Sequence, residues 1–126
     1  MSYSSSCDDT SGVVATGQTV EPYRLLVESA GTVQHASSAS VRPNGCSGPN
    51  GADAGEQVSI GHFGRRKLTA SGAIAKNELV VPAADGKIAA DTPTTGEFVV
   101  GYALEAATTD GQIIEVIFTT TRPANP

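Results

Sequence analysis

The stretch Phe98–Thr119, FVVGYALEAATTDGQIIEVIFT, holds two apolar runs on either side of a turn. Phe98–Leu104 (FVVGYAL) is the most apolar run of the chain, and Ile113–Thr119 (IIEVIFT) is rich in β-branched residues. Such side chains have few rotamers to lose and pack well on a pleated surface, so both runs read as strands. Asp110-Gly111 lies between them and supplies the positive φ of a tight turn. Leu104–Thr108 (LEAAT) has room for one helical turn. No segment of the chain carries ten or more residues at a clean helical period.

This stretch has an ungapped counterpart upstream. Gly45–Ile60 (GCSGPNGADAGEQVSI) lies over Gly101–Val116 (GYALEAATTDGQIIEV), with Gly45 on Gly101, Gly55 on Gly111, Val58 on Ile114 and Ile60 on Val116. A second match joins Leu25–Val33 (LLVESAGTV) to Leu79–Ile88 (LVVPAADGKI), where Gly31 meets Gly86 after a one-residue insertion. Two copies are too few for a solenoid and suit one compact domain with two similar halves, about residues 23–64 and 78–118. What recurs is glycine and branched apolar residues, so the repeat preserves shape. Gly31, Gly45, Gly55, Gly86, Gly101 and Gly111 are accordingly expected at turns.

Other segments agree with a β chain. Tyr23–Glu28 and Thr32–His35 read as strands around a turn, and Gln57–Phe63 (QVSIGHF) alternates at period two. Asn44-Gly45 and Asn50-Gly51 make Val41–Gly55 loop-rich. Lys67–Ala70 is a further short strand, and Gly72–Val81 is a β run broken at Lys76-Asn77. Residues 1–20, rich in Ser, Asp, Thr and Gly, read as a flexible arm that orders on a partner. Residues 120–126 form a tail punctuated by Pro123 and Pro126, leaving 21–119 as a single domain. The expected fold is all-β, a small barrel or sandwich of short strands with an internal duplication and extended termini.

Composition narrows function. Large aliphatic and aromatic residues make up roughly a fifth of 126 residues, so the core is thin and gains from assembly. A net charge of −5 argues against nucleic acid, which needs a basic face. The one basic run, Arg65-Arg66-Lys67, reads as a solvated turn or as a contact for an acidic protein surface. No apolar stretch reaches the length of a membrane span, and the N-terminus lacks a secretory h-region, so cytoplasmic synthesis is expected. Cys7 and Cys46 are too far apart for a metal motif, and a disulfide would need the arm to fold back over the Cys46 loop.

Catalytic signals are missing from the sequence. No phosphate-cradling loop, dinucleotide fingerprint or nucleophile elbow occurs. His35 and His62 stand apart from metal-ligand spacings, and no Asp-x-Asp-x-Asp run suits calcium. A small ligand-binding or enzymatic barrel would have to pair His62 with Glu97, Glu105 or Glu115, which no spacing enforces. No catalytic residue, cofactor or metal is therefore expected.

Leu68–Val81 (LTASGAIAKNELVV), Ala84-Asp85-Gly86-Lys87, Val100–Ala107 (VGYALEAA), Asp110-Gly111 and Ile113–Phe118 (IIEVIF), in that order, resemble the small capsid cement proteins of tailed phages. Arg42-Pro43-Asn44-Gly45-Cys46 and Ala54–Val58 fit as well, although Asn44 and Cys46 replace aliphatic residues and Gly48 and Gly51 are inserted. The resemblance covers about residues 23–118. It implies a non-enzymatic decoration protein on the outside of the phage head, with the major capsid protein as partner and the virion as its location. A looser similarity to lambda-like head-decoration proteins implies a homotrimer. A head-fibre or tail component is the neighbouring alternative.

Overall fold

A computed structural model describes residues 9–62, 64–91 and 97–123, with backbone alone at 9 and 120–123. Twelve strands appear in these residues. The first seven are β1 (Asp9–Val14), β2 (Thr19–Val20), β3 (Leu25–Ser29), β4 (Thr32–His35), β5 (Gly45–Ser47), β6 (Ala52–Asp53) and β7 (Gln57–Gly61). The rest are β8 (Gly64–Thr69), β9 (Leu79–Pro82), β10 (Ile88–Ala90), β11 (Phe98–Ala103) and β12 (Ile113–Pro123). A 3-10 turn, Ala84–Gly86, precedes β10. The fold is all-β, as expected, and Leu104–Thr108 forms no helical turn.

The first barrel closes in the order β1-β4-β3-β5-β7, with β1 antiparallel to β7 and parallel to β4. The second sheet runs β10-β9-β11-β12-β8. It is the same order once β4, β3, β5, β7 and β1 are read as β10, β9, β11, β12 and β8. Register repeats too. Leu26 opposite Gly45 recurs as Val80 opposite Gly101, and Ser47 opposite Ile60 recurs as Ala103 opposite Val116. Gly12 opposite Val58 recurs as Leu68 opposite Ile114. The parallel contact Val14–Val33 that closes the first barrel returns as a single bridge, Ala70–Ile88, which joins the two edges of the second sheet into a second barrel held shut by that one bridge. The internal duplication is therefore written in strand pairing as well as in sequence.

Each barrel is filled from equivalent positions. Val14, Val20, Leu26, Val33, Val58 and Ile60 form the first interior. Ala70, Ile74, Val80, Ile88, Ile114 and Val116 take those places in the second, joined by Leu68, Val100 and Phe118. Volume is traded between copies. A Cβ at Gly12 would lie 3.0 Å from Val33 and 3.1 Å from Ile60, so the larger Ile60 claims the space that Leu68 fills beside Val116.

Three features differ from the sequence reading. Residues 9–14 are strand β1, with Val14 only 1 % exposed, although residues 1–20 read as an arm. Polar Asp9-Thr10-Ser11 hides this strand, because it lies at a barrel seam where only alternate residues turn inward. The expected halves 23–64 and 78–118 each omit the closing strand for the same reason: β1 (DTSGVV) and β8 (GRRKLT) share pairing but no apolar pattern. At the other end β12 continues to Pro123, past the expected start of the tail. The readings of Cys7, residues 1–8 and 124–126 lie outside the described residues.

Candidate functional site

Strand β8 carries the basic run. It pairs only with β12 among the named strands, placing Arg65 opposite Ile117, Arg66 opposite Val116 and Lys67 opposite Glu115. Strand alternation sends Arg65 and Lys67 to the outer face of the second barrel. Arg65 Nε donates to Glu115 Oε1 at 2.9 Å, and the Glu115 amide donates to Glu105 Oε1. With Arg65 side chain 66 % exposed, this ion pair contributes little to stability and mainly fixes orientation. Arg66 turns toward the first barrel, where its guanidinium lies over Gly61; a Cβ there would be 2.6 Å from its central carbon. A pocket of about 380 Å³ between the barrels brings Arg65, Arg66 and Lys67 to one rim with Tyr23, Ser47 and Pro49.

Beside this rim lies an apolar row that inspection of the sequence missed. Leu79, Tyr102, Ile117 and Arg65 are successive register partners across β9, β11, β12 and β8. Leu79 is 40 % exposed and Tyr102 39 %. The signal was present: with Gly101 opposite Val80 and turned inward, its neighbour Tyr102 in FVVGYAL has to face outward.

The six glycines fall into two groups. Gly31, Gly55, Gly86 and Gly111 sit at turns with positive φ. Gly45 and Gly101 lie inside β5 and β11 instead, correcting their expected place at turns. Their reason is close approach: a Cβ at Gly101 would stand 1.7 Å from the Ile117 carbonyl oxygen, and one at Gly45 2.8 Å from that of Gly61.

The histidines and glutamates engage backbone groups and neighbouring side chains. His62 Nδ1 donates to the Asn44 carbonyl, which only accepts, at 3.0 Å, and Nε2 lies 2.8 Å from the Thr10 hydroxyl oxygen. This ties β1, β7 and the loop before β5. His35 Nε2 accepts the Glu21 amide at 2.9 Å. Burial, then the nearby Arg24 charge, hold the His35 imidazole below its ordinary value, against weaker pulls from Asp85 and Glu21. Lys87 donates to Asp110 and holds that carboxyl low. Partial burial and the Asp91 carboxylate push Glu97 up. Glu105 and Glu115 line a separate pocket with Tyr23, Lys67, Ile113 and Ile114. Among the described residues, no three His, Cys, Asp or Glu side chains gather to hold a metal ion. Cys46 is a buried thiol in β5, and Cys7 is outside the described residues.

The second barrel thus presents a mixed apolar and basic outer face. The fold of the chain is similar to that of the head fiber gp8.5 N base of bacteriophage phi29. The two superpose with a TM-score of 0.71 at 25 % identity, over 90 % of this chain and 97 % of that one. No curated protein matches the sequence. The phage cement proteins match it over residues 8–118, both barrels and every strand but the end of β12, and the chain belongs to that family.

Proposed function

We propose that this protein binds the outer surface of the assembled phage head, to the major capsid protein, and stabilises the shell as a cement. Membership of the phage cement family over residues 8–118 carries this reading and makes the chain a capsid-associated structural protein. The double barrel supports it physically. Two small cores fused through shared backbone bonds form a stiff clamp, and a stiff clamp loses little entropy on docking. We assign Arg65, Arg66 and Lys67 to the capsid contact, since they share one rim and are the longest cationic run in a chain of net charge −5. The working unit is a homotrimer, whose several simultaneous shell contacts raise avidity. Its work involves neither hydrolysis nor group transfer, and neither nucleic acid nor membrane is a partner.

The test uses heads lacking this protein. Purified protein should bind expanded heads and raise their disruption temperature, with moderate salt having a small effect because burial outweighs charge. Heads that withstand heat and internal DNA pressure equally well without it would refute cementing. Likeness to a head fiber base favours one other reading, attachment of a protruding fibre. Cryo-EM of decorated heads separates the two: density flat on the shell supports cement, and a projecting shaft supports the fibre.

A further inference from the structure

The two barrels of one chain dock through different faces. The first offers the outer row Leu25, Cys46 and Gly61, register partners across β3, β5 and β7. This row is covered: Leu25 is 0 % and Cys46 2 % exposed, and both belong to the second barrel's core. The second barrel meets it with the start of β8 and the turn before β10. Arg66 lies over Gly61, and Thr69 donates through its amide and hydroxyl to the Tyr23 carbonyl. Gly86 donates its amide to the Ala36 carbonyl at 2.7 Å. The contact is heterologous, one row against one rim.

Because pairing repeats between barrels, each chain carries a second row and a second rim. The row equivalent to Leu25-Cys46-Gly61 is Leu79-Tyr102-Ile117, on the second barrel. The rim equivalent to Arg66, Thr69 and Gly86 is Thr10, Val13 and Gly31, on the first. Both lie open. Leu79 is 40 %, Tyr102 39 % and Val13 36 % exposed, three of the four large apolar side chains exposed among the described residues. A Cβ at Gly86 would meet the Leu25 carbonyl at 2.7 Å, while one at Gly31 would meet no atom within 4 Å.

We propose that the second barrel of one copy docks by its Leu79-Tyr102-Ile117 row onto the Thr10-Val13-Gly31 rim of the next copy, head to tail, repeating the contact made between barrels within the chain. The sizes are complementary. Where the internal contact sets Gly61 against the long Arg66, the contact between copies sets the bulky Ile117 against the short Thr10. Leucine keeps its place in both rows, and glycine keeps its place in both rims. A heterologous contact of this kind closes into a ring or runs on as a filament, and the trimer proposed above is its closed form. This deepens the self-association in the proposed function and rests on it, without requiring that the capsid be bound.

The experiment is sedimentation velocity on the purified full chain without capsids. Wild type should sediment as an oligomer, while Tyr102→Arg or Leu79→Arg (row blocked) and Val13→Arg or Thr10→Arg (rim blocked) should each fall to a single chain. Circular dichroism selects from each pair a variant that stays folded. Mixing one row-blocked with one rim-blocked protein leaves one open row facing one open rim, so the mixture should form a 1:1 dimer and nothing larger. A monomeric wild type, blocked variants that still assemble, or a mixture that stays monomeric would each overturn head-to-tail docking. Binding of the same proteins to heads, measured separately, tests the cement reading, so failure of one is not read as failure of the other.

Discussion

Gly86 and Gly111 look alike in sequence, each following Asp between apolar runs, yet they face different surroundings. Both have positive φ, 71° and 91°. A side chain at Gly111 would enter open space, whereas at Gly86 it would meet the Leu25 carbonyl and the Arg24 Cβ, at 2.7 and 2.9 Å. Gly111→Val should therefore cost about 1–3 kcal/mol from backbone strain alone, and Gly86→Val should cost more. Urea unfolding of the two variants checks this; equal losses would show that the turn at Gly86 does not bear on the first barrel. His35 gives a pH dependence. Its folded pKa lies below the ordinary 6.5, so the unfolded chain binds the proton more readily. Its contribution to stability is present above pH 6.5 and is lost as pH falls through the lower folded value. Melting temperature should decline over that window, and His35→Gln should flatten the decline. An unchanged slope in the variant would assign the acid sensitivity elsewhere.

At the scale of elements, β1 is the decisive strand. It pairs with β7 along Asp9–Val13 and with β4 at Val13 and Val14, so the first barrel has no closure without it. Amides of residues 10–14 should be protected from exchange in the free protein, before any capsid is added. Rapid exchange there would return the segment to the arm that composition suggests. Deleting residues 1–14 should likewise remove the cooperative fold of the first barrel, since Val14 leaves its core and β4 and β7 lose a partner.

Across the chain, Leu25 and Cys46 of the first barrel's strands are buried in the second barrel's core, so the two barrels should unfold together. Leu25→Ala should cost about 2–5 kcal/mol, and it should loosen the coupling between barrels. Two resolved transitions in calorimetry of the variant, against one in wild type, would express that loss. A single unshifted transition would mean that the backbone bonds Thr69–Tyr23 and Gly86–Ala36 suffice to join the barrels.

Strand type, the duplication and the four turn glycines were legible in the amino-acid sequence alone. These depend on local chemistry: β-branched runs, positive-φ turns and glycines aligned between copies. The resemblance carried by Ala84–Lys87, Val100–Ala107 and Ile113–Phe118 also pointed to the cement family that residues 8–118 match. Long-range packing, by contrast, sets the place of β1, the strand positions of Gly45 and Gly101, and the contrast between the covered Leu25-Cys46 row and the more open Leu79-Tyr102 row. The physical reason is common to all three. Each depends on what lies across a strand pair or a barrel interface, and residues with the same local pattern are buried in one copy and exposed in the other according to which barrel stands beside them.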